Sequence, residues 1–249
     1  MFDKEKVANE IIEFIRNYYK ENNLKGAVIG ISGGKDSGVV AGLFSKAIGP
    51  ENIIGVTMPC ESKAQDREDA KLVAEKFGFE LVNVDLTDTY HTYKNEIYKI
   101  CDDEEKMVDA NINLKPKFRM STLYFLAAMY SKIKGGTYIV PGTGNKSELF
   151  VGYFTKGGDS VSDISVLGDL TVSEVIKVGE VVGVPEEVLY KKPSDGLSEK
   201  SDEDKLGVTY DAIEKYINGI KQDEEIEEKI KNLHNNTRHK FNLPTYRQK

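Results

Sequence analysis

Six consecutive residues, Ser32-Gly33-Gly34-Lys35-Asp36-Ser37, put a glycine pair, two hydroxyls and one charge of each sign into a single turn. Two glycines between a strand and a helix let backbone amides converge on one concavity, where a pyrophosphate can rest on the helix N-terminus. Ser32 and Ser37 add hydroxyl donors, and Asp36 can hold a magnesium ion between phosphate groups. The spacing is not that of the GxxxxGK(S/T) loop. A tight turn without a ligand is the competing reading, and the Ser, Lys, Asp and Ser around the glycines argue against it. A second block, Gly142-Thr143-Gly144-Asn145-Lys146-Ser147-Glu148, continues through Leu149-Phe150-Val151-Gly152-Tyr153-Phe154-Thr155-Lys156. It supplies flexible backbone, hydroxyls, Lys146 and Lys156 as anion partners, and Glu148 as a second metal carboxylate. A glycine turn capping a helix accounts for Gly142 to Ser147 but not for the run that reaches Lys156.

The elements around these blocks follow from periodicity. Val7, Ile11, Ile12, Phe14, Ile15 and Tyr18 lie largely on one helical face, which predicts an amphipathic first helix. Short apolar runs at Gly26 to Ser32, Asn52 to Pro59, Phe79 to Leu86 and Thr137 to Gly144 read as buried strands. Helical spacing separates them, at Asp36 to Ala47, at Ala64 to Phe77, and in a long stretch with a charged break at Cys101 to Lys106 that resumes from Phe118 to Ile133. The alternation predicts an α/β fold, an open, mostly parallel twisted sheet with helices on both faces. Ligands of such sheets bind beyond the carboxyl ends of the strands, where Ser32 to Ser37 and Gly142 to Glu148 fall. Phe154 to Leu167, rich in Gly, Ser and Asp, reads as a mobile loop. Helices are expected at Thr171 to Val182, Asp204 to Gly219 and Asp223 to Leu233, before a basic tail. No repeat or low-complexity linker divides the 249 residues, so a single domain spanning 1–249 is expected.

Composition narrows the function classes. The net charge of −7 argues against a broad nucleic-acid-binding face. Any polyanion must be held by helix N-termini, backbone amides and a few chosen cations. The two cysteines, Cys60 and Cys101, lack zinc-site spacing and read as small buried or half-buried thiols of a reducing, cytoplasmic setting. No apolar stretch has the length of a membrane span.

Ser32 to Ser37 resembles the SGGxDS loop of the PP-loop ATP pyrophosphatases, which cleave ATP between its α and β phosphates and adenylylate a carboxylate or carbonyl oxygen. Gly142 to Lys156 is similar to the GTGNKSE…GYFTK signature of the NAD synthetase family, and further matches keep the family's order. Asn113 to Met120 is similar to its NxKARxRM segment, with Lys117 in place of Arg. Lys192 to Leu197 is similar to KPSAGL, with Asp195 in place of Ala, and His239-Lys240 resembles a C-terminal His-Lys pair. The resemblance implies a Rossmann-like fold and ATP contacts from Gly30, Ile31, Ser32, Gly33, Gly34, Lys35, Asp36, Ser37, Thr143 and Ser194. It further implies deamido-NAD contacts from Arg119, Lys156, Asp163, His239 and Lys240, and Mg2+ held by Asp36 and Glu148. One departure is Val172, where the family's LTK motif has a phosphate-binding lysine. Lys177 should face elsewhere on that helix.

By resemblance, the expected reaction is ATP-dependent amidation of deamido-NAD through an adenylylated carboxylate, giving NAD, AMP and pyrophosphate. Asp36, Glu148 and Lys156 are the expected catalytic residues. Glutamine-dependent relatives carry an extra amidohydrolase domain, for which this length leaves no room, so free ammonia is the expected donor. A homodimer is also implied, with the substrate site shared and the helices from Lys94 to Lys134 near the interface. Competing readings are a PP-loop enzyme acting on tRNA or on another nucleotide, and a nucleotide sensor without turnover. A sensor would be expected to lack Asp36 or Glu148.

Overall fold

Four parallel strands form the centre of the computed structural model, β1 (Leu24–Gly30), β2 (Ile53–Thr57), β3 (Glu80–Asn83) and β4 (Thr137–Ile139), in the order β3-β2-β1-β4. The structure describes residues 2–101, 103–191, 201–241 and 246. β1 and β2 are apolar and buried because helices cover both faces of the sheet. Alternation along β1 assigns the faces. Ala27 and Ile29 join a core with Ile12 and Ile15 of α1 (Lys4–Glu21), Val39, Leu43 and Phe44 of α2 (Lys35–Ile48), and Val73 of α3 (Ala64–Phe77). Val28, one residue out of phase, packs with Ile54, Val56 and Tyr138 against Leu126 and Ala127 on the opposite side. After α4 (Thr87–Tyr98), that opposite layer is the long helix α5 (Glu104–Lys134).

The sheet grows from β1 outward to β2 and β3, then returns to place β4 on the other side of β1. This reversal leaves a crevice between β1 and β4, beyond their carboxyl ends. β1 runs there into Ser32 to Ser37 and α2. β4 leads to a short β5 (Pro141–Gly142) and then α6 (Lys146–Val151), while β5 pairs in parallel with β6 (Ile164–Ser165). The single strand expected at Thr137 to Gly144 is therefore two strands in two sheets.

Three other expectations are corrected. The helix expected from Phe118 begins at Glu104, where the Asp103 side chain accepts from the Lys106 amide, and it runs through Pro116. Burial of Lys115 and Pro116 outweighs the amide that proline removes. Phe154 to Leu167, expected as a loop throughout, forms hydrogen-bonded turns and also contributes the short strand β6. The helix expected at Asp204 to Gly219 is interrupted. After α7 (Val172–Val182) and α8 (Glu186–Leu189) come α9 (Asp202–Leu206) and α10 (Tyr210–Ile217), separated at left-handed Gly207, and then α11 (Glu224–Thr237). Cys60 is buried and Cys101 half-buried, both as free thiols. Among the described residues no helix is long and apolar enough to cross a membrane.

Candidate active site

The turn after β1 is knitted by its own hydroxyls. Ser32 Oγ and Ser37 Oγ lie 3.1 Å apart, Gly34 N–H donates to Ser32 Oγ at 3.2 Å, and Ser37 Oγ donates to the Gly34 carbonyl at 3.0 Å. Ile31, buried, donates its amide to Val56 and keeps the turn in line with the sheet. Gly33 has φ +77°, and a Cβ there would collide with the Asp66 carbonyl at the start of α3, so only glycine fits. Gly34 caps α2 without a side chain, which leaves first-turn amides for an anionic ligand.

The second block reaches this turn through Asn145. Its side-chain amide donates to Asp36 Oδ1 at 3.1 Å. Its carbonyl oxygen accepts from Glu148 N–H at 3.0 Å, while Glu148 Oε2 accepts from Asn145 N–H at 3.1 Å. This reciprocal cap holds Glu148 at the start of α6. Lys35 Nζ, almost fully buried, lies 2.8 Å from Asp36 Oδ2. Burial opposes the Lys35 charge, but the carboxylates of Asp36 and Glu148 outweigh it and raise its pKa. Burial, and then the Asp36 charge, push Glu148 up to about 8. Such a carboxylate pair favours an additional cation. Among the described residues no group of three or more His, Cys, Asp or Glu could hold a metal by itself. Two carboxylates suit Mg2+, which takes its other ligands from phosphate and water. Thr143 is half-buried between β5 and α6, and Gly30 ends β1 beside Met58 and Leu123.

The phosphate-type turn and the capped carboxylate thus meet at one switch point of the sheet. The NAD synthase family model matches residues 7–246. This chain belongs to the NAD synthase family. A curated relative, the NH3-dependent NAD+ synthetase of Carboxydothermus hydrogenoformans, is 37% identical over 242 residues, covering 96% of each chain. Among solved structures, an NMN synthetase from Francisella tularensis has a TM-score of 0.90 at 30% identity, covering 99% of both chains. The NH3-dependent NAD synthetase from Campylobacter jejuni has a TM-score of 0.79 at 26% identity, covering 99% of this chain and all of that one.

Within this NAD synthase fold the remaining expected residues fall into two groups. Lys156, His239 and Lys240 come together, since Lys156 Nζ donates to the His239 carbonyl at 3.2 Å and Lys240 Nζ to the Gly152 and Phe154 carbonyls at 2.7 Å. Phe154 and Phe241 pack edge to face beside them. The turn carrying Lys156 is also held to α5: Thr155 Oγ1 donates to Asn113 Oδ1 at 2.8 Å, and Gly158 packs against Pro116. Arg119, on the same helix, reaches the Met58 carbonyl and Ser62 after β2. Asp163 accepts from Val140 N–H at 2.7 Å and from the Tyr124 hydroxyl at 3.1 Å, so it also braces the chain between β4 and β5. Ser194 and the rest of Lys192 to Leu197 lie outside the described residues. Lys177 Nζ sits over the Phe2 ring, away from the crevice, as its helical offset predicts. Val172 belongs to an apolar cluster with Val151, Leu206 and Ile213.

Sequence reasoning singled out Asn145 only as part of a string, although its position before a helix with Glu three residues on is a legible cap signal. It missed Asp202, which is buried and accepts from the Tyr153 and Tyr210 hydroxyls. It also missed Lys191, whose ammonium lies 2.8 Å from Asp66 and 2.5 Å from Asp69. The partners of Lys191 and the Tyr153 partner of Asp202 are distant in the chain, so no local signal marks those contacts.

Proposed function

We propose that this chain makes NAD by ATP-dependent amidation of deamido-NAD with ammonia, releasing AMP and pyrophosphate. The observation that carries this reading is the Asp36–Asn145–Glu148 junction at the β1/β4 switch point of an NAD synthase fold. A carboxylate is a poor acyl donor because oxide would have to leave. Adenylylation turns it into a mixed anhydride, from which ammonia displaces AMP. The protein has to place the carboxylate oxygen in line with the α-phosphate and to balance developing charge. Ser32, Gly33, Gly34 and Ser37 form the pyrophosphate cradle in this reading, beside Gly30, Ile31, Lys35 and Thr143. Asp36 and Glu148 would hold Mg2+, whose contribution when bound is charge neutralisation on the phosphates. In this reading Lys156, which donates to the His239 carbonyl, contacts deamido-NAD together with His239, Lys240, Arg119 and Asp163. The turn around Lys156 would have to close over the bound substrate, because the adenylylated intermediate hydrolyses in water.

Two features support a homodimer built on the Lys94 to Lys134 region. α5 exposes Phe125 and Ile133, and neighbouring Ile100 is also exposed. Sedimentation velocity tests this directly. The free thiols of Cys60 and Cys101 fit a reducing, cytoplasmic setting.

A second reading concerns the length of the substrate. The Francisella tularensis NMN synthetase matches with a TM-score of 0.90, against 0.79 for the Campylobacter jejuni NAD synthetase. Nicotinic acid mononucleotide presents the same carboxylate without the adenylate half. The deciding assay supplies ATP and Mg2+ with either acid, and with ammonium or glutamine. NAD from deamido-NAD and ammonium, with AMP and pyrophosphate in equal amounts, supports the first reading. A higher kcat/KM for the mononucleotide supports the second, and no product from either acid removes both.

A further inference from the structure

Gly33 is held from two sides by residues far from it in the chain. The start of α3 closes against its α-carbon at the Asp66 carbonyl. On its carbonyl side lies Lys191, just after α8, whose Nζ reaches the Gly33 oxygen at 3.4 Å. The same ammonium lies 2.8 Å from Asp66 Oδ1 and 2.5 Å from Asp69 Oδ2, and Asp69 is itself buried and bonded to Gln65 at 2.7 Å. Burial opposes the Lys191 charge, and the two carboxylates outweigh it, so the side chain stays protonated. A lysine matched by two carboxylates adds little net attraction for a phosphate. It can, however, set an orientation. In a trans peptide the carbonyl and the following N–H point in opposite directions. With the Gly33 oxygen turned toward Lys191, the Gly34 N–H faces the other way, and there it meets Ser32 Oγ at 3.2 Å on the side of the two serine hydroxyls.

We propose that Lys191 is a positioning residue for the pyrophosphate half of ATP, pinning the Gly33–Gly34 peptide so that its N–H keeps the Ser32 hydroxyl turned into the phosphate cradle. This rests on the reading of Ser32 to Ser37 as a pyrophosphate cradle. A merely structural lysine would affect every ligand of the crevice alike, whereas an orienting one acts only on ligands that carry the β and γ phosphates.

The test is calorimetric titration of ATP, inorganic pyrophosphate and AMP, each with Mg2+, into wild type, Lys191→Arg, Lys191→Met and the double variant Lys191→Met/Asp66→Asn. The double variant removes one of the two carboxylates that Lys191→Met leaves without the lysine, and Asp69 keeps its bond from Gln65. Expected in both methionine variants is a loss of about tenfold in ATP and pyrophosphate affinity, with AMP unchanged, and most of the affinity restored by arginine. Pyrophosphate binding equal to wild type in both methionine variants would overturn the proposal, as would an equal loss for AMP. Wild type that binds AMP but not pyrophosphate would remove the cradle reading itself, and the role of Lys191 with it.

Discussion

The Asn145 side-chain amide and Asp36 Oδ1 are 3.1 Å apart, although 109 residues separate them in the chain. The contact joins the turn after β1 to the cap of α6, and Asn145 is fully buried. One amide group thereby serves two ends of the site: its oxygen caps Glu148 and its nitrogen orients Asp36.

The double role of Asn145 separates by substitution. Asn145→Ala loses cap and bridge, and is expected to lower stability by about 1–2 kcal/mol as well as activity. Asn145→Ser keeps a capping oxygen but not the reach to Asp36, so it should lose activity with a smaller fall in stability. Chemical denaturation and steady-state rates, measured side by side, check this. Full activity in the serine variant would show that the bridge to Asp36 is dispensable.

Asp36→Ala is expected to abolish turnover and leave the fold intact. Circular dichroism and pyrophosphate release measure the two halves. Normal release in this variant would remove Asp36 from the metal assignment.

The raised pKa of Glu148 gives a signed pH dependence. Its ordinary value is 4.5 and the folded value about 8, with burial as the first cause and Asp36 as the second. The folded protein therefore binds more protons than the unfolded chain between these values. Stability contributed by the protonated group is fully present below 4.5 and is lost as pH rises through about 8. With chelator present, the midpoint of thermal unfolding should fall across that window in wild type and fall less in Glu148→Gln. Parallel curves for the two proteins would contradict the shift.

Restoring the family lysine at position 172 should not restore a phosphate contact. Val172 packs with Val151, Leu206 and Ile213, so a charge there is costly unless it reaches solvent. Val172→Lys is expected to cost about 2–4 kcal/mol without tightening ATP. Tighter ATP binding in a stable variant would mean that the cluster opens toward the crevice.

The turn bearing Lys156 depends on its seat against α5. A Cβ at Gly158 would lie 2.8 Å from Pro116 Cβ. Gly158→Val should lift the turn, raise tryptic cleavage at Lys156, and lower kcat by about tenfold or more with little change in the KM for ATP. Unchanged cleavage and kcat together would show that this seat does not matter.

What the sequence determined by itself was the chemistry carried by continuous strings. Ser32 to Ser37 and Gly142 to Lys156 announce a phosphate turn and a capped carboxylate through residue type and spacing, and the apolar runs of β1 and β2 announce a parallel sheet buried on both faces. These are local properties, governed by backbone freedom, capping and periodicity. The boundaries that failed were decided by tertiary contacts: Thr137 to Gly144 divides between two sheets because β5 pairs with β6, and α5 continues through Pro116 because that stretch is buried. The bridge from Asn145 to Asp36 and the role of Lys191 belong to the folded state alone. Asp36 and Gly33 become their partners only when β4 and α8 are brought back beside the first turn, and no pattern along the chain encodes a contact between segments more than a hundred residues apart.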